Sequence, residues 1–191
     1  MTIWNIARAC KGHLAVPAGK HTGTCPAAGM AVIRGYSGKE AAGIVIDSRK
    51  VEPGDIFVAI RGERVDGHQF IREVFDKGAI AVVCEEEPEE LPGPCIRVED
   101  SLAALRQIAA FYREQMPIPI VGITGSVGKT STKEFVASVL AQKYKTHKTQ
   151  GNFNNEIGVP LTLLAMPEDT EAAVVEMGIN HFGEMHRLSE M

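Results

Sequence analysis

The sequence predicts an α/β protein in which a small N-terminal α/β domain is followed by the first part of a second, parallel-sheet domain. Short apolar runs of β-strand length alternate with helical patterns along the chain. A glycine-rich segment at residues 122–132 separates an apolar run from a helical pattern. A proline-containing break near residue 117 divides the chain into two such units. We therefore predict domains at residues 1–98 and 118–191, joined by a linker helix at residues 99–117.

The first unit contains three β-strand patterns, at residues 43–46, 55–60 and 79–84. A helical stretch at residues 68–77 lies between the last two of them. This alternation indicates a small α/β domain.

The linker helix is predicted from its cap and its apolar face. Asp100 and Ser101 are suited to capping a helix N-terminus. The apolar residues that follow fall on one helical face: Leu102, Leu105, Ile108, Ala109 and Tyr112. Pro117 and Pro119 end the helix, so the domain boundary belongs in this region.

The second unit opens with a β-strand pattern at residues 118–121, and a helical pattern follows the glycine-rich segment. The apolar residues of that helix are Phe135, Val136, Val139 and Leu140. Further on we predict a strand at residues 144–147, a polar loop at 151–158, a short helix at 160–165 and a strand at 172–177. Because only about three strands are present, we expect the strand that ends at Glu176 to lack neighbours on a face and at an edge.

The glycine-rich segment has the residue types of a phosphate-binding loop. Its glycines let successive backbone N–H groups turn toward one anion, and the following helix N-terminus adds a positive partial charge. Lys129 supplies an ammonium for the outer phosphates, and Thr130 supplies a hydroxyl for a magnesium ion. The predicted ligand is a nucleoside triphosphate. The predicted nucleotide-binding residues are Gly125, Ser126, Val127, Gly128, Lys129, Thr130 and Ser131.

The match to the strict P-loop pattern is incomplete, because Ile123 stands where that pattern has its first glycine. A lone Gly-x-x-Gly would favour an ordinary turn between a strand and a helix. The Gly128-Lys129-Thr130 sequence and the flanking strand and helix patterns favour nucleotide binding instead.

Glu176 lies near the end of the last apolar run. The carboxyl ends of parallel strands lie at one edge of a sheet, which is where open α/β sheets bind ligands. Glu176 is therefore a candidate magnesium ligand. The alternative is a strand-end carboxylate that faces water, and spacing alone does not separate the two, since only one carboxylate has this placement.

The composition excludes several classes of protein. The net charge of −4 argues against a general nucleic-acid surface. No apolar stretch approaches the roughly 20 residues that a membrane span needs, and the N-terminus lacks a signal-peptide core. Cys10, Cys25, Cys84 and Cys95 lack the spacing of a zinc site or a disulfide framework. We expect a soluble, cytoplasmic protein with reduced thiols.

Four motifs resemble one protein family, and together they span nearly the whole chain. The first is DSRKVEPGDIFVAIRGERVDGH at residues 47–68, and the second is TGSVGKTSTKE at residues 124–134. The third is GNFNNEIGVPLTLL at residues 151–164, and the fourth is EMGINHFGE at residues 176–184. This chain resembles the Mur ligases, and most closely those members that join D-alanyl-D-alanine to UDP-N-acetylmuramoyl-tripeptide.

The resemblance implies an ATP-dependent, ADP-forming ligase of peptidoglycan precursor synthesis. Its cofactors would be ATP and Mg²⁺, and its partners UDP-N-acetylmuramoyl-tripeptide and D-alanyl-D-alanine. Residues 1–98 would bind the UDP-linked substrate, and residues 118–191 would form the first part of a P-loop ATPase-like domain. Family members continue into the rest of that domain and a third one, so a chain that ends at Met191 is expected to be truncated and inactive alone.

The resemblance also implies roles for individual residues. Lys129 and Glu176 would be catalytic, and two magnesium ions would be held, the first by Thr130 and the second by Glu176. The implied substrate-binding residues are Ser48, Arg49, His68, Asn154 and Asn155. Two structural alternatives stay open: the loop around Asn154 and Asn155 caps the short helix, and Arg49 forms a surface salt bridge. His181 follows Glu176 closely, but a single loop histidine is more often structural, so it is not assigned a catalytic role.

Two other functions stay open. A member of the same family that adds an amino acid to a dipeptide substrate would share the first-domain motif, although the motifs at residues 151–164 and 176–184 favour dipeptide addition. A nucleotide-binding switch or regulatory module would bind the nucleotide without ligation.

Overall fold

The computed structural model describes residues 1–17, 35–62, 65–179 and 182–191. The chain forms two compact units, residues 1–105 and 106–191, and the division falls inside one helix. Cys25, His181 and parts of two motifs, residues 63–64 and residue 180, lie outside the described residues.

The first unit contains a five-stranded sheet with the strand order β1-β5-β4-β3-β2. The strands are β1 (His13–Ala15), β2 (Ile44–Val45), β3 (Ile56–Val58), β4 (Ala81–Cys84) and β5 (Cys95–Arg97). Strands β2 to β5 are parallel, and β1 pairs with β5 in the antiparallel direction. The carboxyl ends of β2, β3 and β4 therefore lie at one edge of the sheet.

The helices near this sheet include α1 (Ile3–Ala9), α2 (Ile71–Asp76) and α3 (Ser101–Glu114). The predicted helical stretch at residues 68–77 begins as a 3₁₀ turn at Gly67–Phe70, because the Asp66 carboxylate accepts from the His68 N–H at 2.9 Å. The predicted cap of α3 is confirmed: Asp100 Oδ1 accepts from the N–H groups of Leu102 and Ala103 at 2.8 and 2.9 Å.

Buried side chains lie on both faces of the first unit's sheet: Ile56, Val58 and Val83 are fully buried on one face, and a second cluster lies on the other. Phe57, Val82 and Cys95 are fully buried there, and Val74 of α2 packs against them. Cys10, Cys84 and Cys95 are buried free thiols, in line with the expectation of reduced cysteines for these three.

The second unit contains a three-stranded parallel sheet with the order β6-β8-β7. The strands are β6 (Ile120–Ile123), β7 (Thr146–Lys148) and β8 (Ala172–Glu176). The expectation that the strand ending at Glu176 lacks an edge neighbour is wrong. Strand β8 is central: it pairs with β6 on one side and with β7 on the other, although β7 lies between β6 and β8 in sequence. All residues of β8 are buried.

Helices cover both faces of β8. The second part of α3, α5 (Gly158–Leu164) and α6 (Glu184–Ser189) pack on the face that carries Ala173 and Val175. Helix α4 (Lys129–Leu140) packs against β8 as well. Since side chains alternate along a strand, Glu176 shares a face with Val174 and lies opposite to the face of Ala173 and Val175.

The most buried side chains of helix α4 are not those of its predicted apolar pattern. Phe135 and Val139, which belong to the predicted helical pattern, are each 72% exposed, whereas Lys133 and Ala137 are buried. None of the helices in the described part of the chain is long and apolar enough to cross a membrane.

Gly158 begins α5 and lies against the backbone of Phe153, where a Cβ atom would overlap it. We expect Gly158→Ala to lower the free energy of unfolding by about 1–3 kcal/mol, because the rigid backbone cannot make room. Urea unfolding measures the change. Gly38→Ala is the matched control, since a Cβ there meets nothing within 4 Å. Equal stability of the two variants would contradict the expectation.

His147 on β7 offers a test of the packing against α5. Its Nε2 lies 3.0 Å from the Thr162 carbonyl oxygen, and burial lowers the pKa of His147 below its usual 6.5. The unfolded chain therefore takes up a proton at higher pH than the folded protein does. The free energy of unfolding should be highest above pH 6.5 and fall as the pH drops from there toward the folded-state pKa.

Urea unfolding between pH 5 and 8 measures this dependence, and His147→Gln should flatten the part of it that lies below pH 6.5. An unchanged slope in His147→Gln would assign the dependence to other groups.

Candidate active site

The glycine-rich loop joins β6 to α4. Gly128 stands at the N-cap of α4 with a φ of 76°, and Gly125 has a φ of 149°, both in the region that favours glycine. Within the described residues, no side chain caps the helix, so its first N–H groups are open to an anion. The Lys129 ammonium donates to the Gly125 carbonyl oxygen at 2.9 Å, which places its charge over the loop. Ser126 and Val127 in the loop and Ser131 in α4 are exposed.

Glu176 ends β8 directly beside this loop, because β6 pairs Ile123 with Glu176. The residue is 2% exposed. Its Oε2 accepts from the Thr130 hydroxyl at 3.1 Å, and its Oε1 accepts from the Asn154 amide at 2.9 Å. The Glu176 N–H donates to Thr149 Oγ1 at 2.9 Å. The structure therefore brings Lys129, Thr130, Asn154 and Glu176 of the predicted site to one edge of the sheet.

Lys133 completes this group, and the sequence analysis did not assign it a role. Its side chain is 1% exposed, and its ammonium lies 3.6 Å from Glu176 Oε2 and 3.5 Å from Glu134 Oε1. Lys148 pairs with the same Glu134. The signal that could have found Lys133 is its spacing: three residues after Thr130 and four after Lys129, it lies near both on the surface of α4. Thr149 was not predicted either, and the residues around it form no motif that would indicate its contact with Glu176.

The candidate magnesium ligands are a hydroxyl and a carboxylate. Among the described residues, no group of three or more His, Cys, Asp or Glu side chains could hold a metal ion. Thr130 and Glu176 nevertheless suit Mg²⁺, which prefers oxygen ligands and is commonly held by one or two protein groups together with phosphates and water.

Adjacent residues of the polar loop before α5 bind different partners. Asn154 turns to Glu176, whereas Asn155 Oδ1 accepts from the N–H groups of Ile157 and Gly158 at 3.2 and 2.8 Å. Asn155 thus lies where the capping alternative expects it. Glu156 pairs with Arg187, which ties this loop to α6.

The predicted substrate residues of the first unit lie after β2 and β3, at the carboxyl ends of the parallel strands. Arg49 is 84% exposed and forms two contacts with Asp47, at 2.9 and 2.7 Å. Hydrogen bonds from Arg49 lower the pKa of Asp47 to about 2. This is the geometry of the surface salt bridge that was the alternative for Arg49. Ser48 is buried, and its carbonyl oxygen accepts from the Lys77 ammonium at 2.8 Å.

His68 is held at both ring nitrogens. Nε2 accepts from the Glu85 N–H at 2.9 Å, so the ring proton is on Nδ1, which lies 2.6 Å from Asp66 Oδ1. Gly67 is required beside it, because a Cβ there would come within 2.9 Å of the Ile60 backbone. His68 is thus fixed between β3 and β4.

Two family descriptions match this chain. Residues 40–113 match "Mur ligase family, catalytic domain", and residues 123–191 match "Mur ligase middle domain". The second match contains the phosphate loop from Gly125 onward, the Asn154 loop and Glu176.

Two bacterial ligases are similar to the chain over most of its length. It is 42% identical over 195 positions to the UDP-N-acetylmuramoyl-tripeptide–D-alanyl-D-alanine ligase of Bacillus subtilis, which covers 100% of this chain and 38% of that protein. It is 43% identical over 142 positions to the ligase of the same name from Escherichia coli, covering 74% of this chain and 31% of that protein. The chain thus spans well under half the length of these relatives.

Two solved structures are also similar to this chain. A crystal structure of MurF from Acinetobacter baumannii is similar with a TM-score of 0.82 and 33% identity, over 98% of this chain and 38% of that one. MurF from Thermotoga maritima, solved in complex with ADP, is similar with a TM-score of 0.73 and 36% identity, over 80% of this chain and 35% of that one. The two family matches, the identities to these ligases and the shared fold lead to one conclusion: the chain belongs to the Mur ligase family.

Proposed function

We propose that this chain is the UDP-substrate-binding and ATP-binding part of an ATP-dependent, ADP-forming ligase, which joins D-alanyl-D-alanine to UDP-N-acetylmuramoyl-tripeptide. The observation that carries the proposal is the Glu176 carboxylate, 3.1 Å from the Thr130 hydroxyl and directly beside an open helix N-terminus. The names of the relatives from Bacillus subtilis and Escherichia coli support the substrates. The ADP complex of the Thermotoga maritima relative supports the nucleotide.

The proposed reaction has two steps. The terminal carboxylate of the tripeptide attacks the γ-phosphorus of ATP, so that an acyl phosphate forms and ADP leaves. The amine of D-alanyl-D-alanine then attacks the acyl carbon, loses a proton and displaces phosphate, which leaves an amide. Both reactants of the first step are anions, so the protein must supply positioning and positive charge.

The chain's own residues would supply both. The N–H groups at the start of α4 would bind the phosphates, and Lys129 would exchange its bond to the Gly125 carbonyl oxygen for a phosphate oxygen. Because the Thr130 hydroxyl lies 3.1 Å from Glu176 Oε2, the two residues would hold one magnesium ion together, which supplies further charge neutralisation when bound. Asn154 holds Glu176 Oε1, so that Oε2 stays turned toward Thr130.

The test is a set of incubations of the full-length ligase with ATP. We expect phosphate release to depend on both UDP-N-acetylmuramoyl-tripeptide and D-alanyl-D-alanine. Release with the UDP-dipeptide and a single amino acid would instead identify an amino-acid-adding family member. ATP binding without any acceptor-dependent release would favour a nucleotide-binding module and defeat the proposal.

Arg49 provides a test of the UDP-substrate role of the first unit. We expect Arg49→Ala to raise the KM for the UDP-linked substrate about tenfold with little change in kcat, because a charge-assisted hydrogen bond to a phosphate contributes to binding rather than to chemistry. Arg72→Ala is the control, since Arg72 is also exposed in the first unit and pairs with Glu90. An unchanged KM would show that Arg49 forms its salt bridge to Asp47 and does not bind the substrate.

A further inference from the structure

Lys133 has no part in the roles proposed above, although it is one of the most buried side chains of the protein. Lysine is rarely buried to this extent unless its ammonium is paired. Here the ammonium lies 3.6 Å from Glu176 Oε2 and 3.5 Å from Glu134 Oε1. Glu134 is half exposed, whereas Glu176 is nearly as buried as Lys133. The enclosed interaction of Lys133 is therefore the one with Glu176.

The partners of Glu176 divide its two carboxylate oxygens between them. Asn154 donates to Oε1, whereas the Thr130 hydroxyl and the Lys133 ammonium both face Oε2. Thr149 holds the backbone of the same residue. Lys133 therefore faces the same carboxylate oxygen as Thr130, which would be the other metal ligand.

We propose that Lys133 is a positioning residue, which holds Glu176 Oε2 beside Thr130 so that the metal site is formed before the nucleotide binds. This inference rests on the proposed function, because it takes Thr130 and Glu176 as the metal ligands. Lys133 and Thr130 lie three residues apart on α4, so one helix fixes both the metal-binding hydroxyl and the ammonium that orients the carboxylate.

An ammonium near a metal site has two effects of opposite sign. Its charge repels a divalent cation, so a lysine that acted by charge alone would weaken metal binding, and its removal would tighten it. A lysine that positions a ligand strengthens metal binding, and its removal weakens it. Partners of metal ligands change affinity by about 10–100-fold in other metal sites. The direction of the change therefore separates the two effects.

The experiment is a titration of Mn²⁺ into the full-length ligase with excess adenylyl imidodiphosphate, followed by water proton relaxation. Lys133→Met keeps the length of the side chain and removes the ammonium, and we expect the Kd for Mn²⁺ to rise about tenfold or more. Lys148→Met is the matched control, because it removes an ammonium that pairs with Glu134 rather than with Glu176. Its Kd should change less than about twofold. Unchanged or tighter Mn²⁺ binding by Lys133→Met overturns the proposal.

A second comparison holds even if Lys133→Met alone does not fold. Lys133→Met combined with Glu176→Gln removes both buried charges, and we compare it with Glu176→Gln alone. If Lys133 acts through the Glu176 carboxylate, removing its ammonium should not weaken Mn²⁺ binding once that carboxylate is gone. Weaker Mn²⁺ binding by the double variant than by Glu176→Gln would show that Lys133 acts on the metal by another route, and would overturn the proposal.

Failure of this inference differs from failure of the proposed function. Normal ligation by the unaltered enzyme together with normal Mn²⁺ binding by Lys133→Met would defeat the inference only. An unaltered enzyme that binds neither Mn²⁺ nor the nucleotide would defeat the proposed function, and the inference with it.

Discussion

Lys129→Ala in the full-length ligase is expected to lower kcat by about two to three orders of magnitude and leave the fold intact. The Lys129 ammonium is exposed and donates only to the Gly125 carbonyl oxygen among the described residues, so its removal leaves no buried group without a partner. The negative charge that it would meet develops as the phosphoryl group is transferred. The loss should therefore appear in kcat more than in KM.

Release of phosphate under saturating substrates measures this loss. Lys143→Ala is the control, because the Lys143 ammonium lies 5.2 Å from the centre of the Tyr144 ring, beyond the other end of α4. Its kcat should match that of the unaltered enzyme. A Lys129→Ala enzyme with normal kcat would remove Lys129 from the mechanism.

Glu176→Ala is expected to abolish ligation and also to lower the free energy of unfolding by about 3–5 kcal/mol. The stability loss arises because the substitution leaves the buried Lys133 ammonium without its enclosed partner and the Asn154 amide without its acceptor. Adding Lys133→Met should restore much of the stability, since no unpaired charge is then buried, but it should not restore activity.

Urea unfolding and phosphate release measure the two effects separately. Glu168→Ala is the control, as Glu168 is exposed and should change the free energy of unfolding by less than about 0.5 kcal/mol. Equal stability of Glu176→Ala and Glu168→Ala would contradict the importance of the buried pair.

Local patterns predicted most of the elements that carry the site. The strand before the glycine-rich loop, the helix after it and the strand that ends at Glu176 all occur, because each has a continuous apolar pattern and the loop has its own residue signature. Among the strands and helices named above, α1, β1, β5 and α6 were not predicted. Strands β1 and β5 have only three residues each, too few for a periodic pattern, and each is stabilised by pairing with the other.

Helix α4 shows how an apolar pattern can predict a helix and still not predict what the helix buries. The apolar residues of α4 include Phe135 and Val139, which are exposed in the described structure, whereas Lys133 is buried. From the sequence alone, a lysine side chain is expected to be exposed to water. In the folded protein the buried carboxylate of Glu176, supplied by a strand more than forty positions further along the chain, pairs with the Lys133 ammonium and favours its burial.

The sequence by itself determined the α/β class, the position of the phosphate loop and the family resemblance, because these depend on short contiguous motifs and on local periodicity. Tertiary structure alone decided the order β6-β8-β7, which places Glu176 at the end of the central strand rather than of an outer strand. It also decided that Asn154 faces Glu176 while its neighbour Asn155 caps α5. The physical reason is that strand order and side-chain partners depend on which distant surfaces pack together, and local patterns carry no information about that choice.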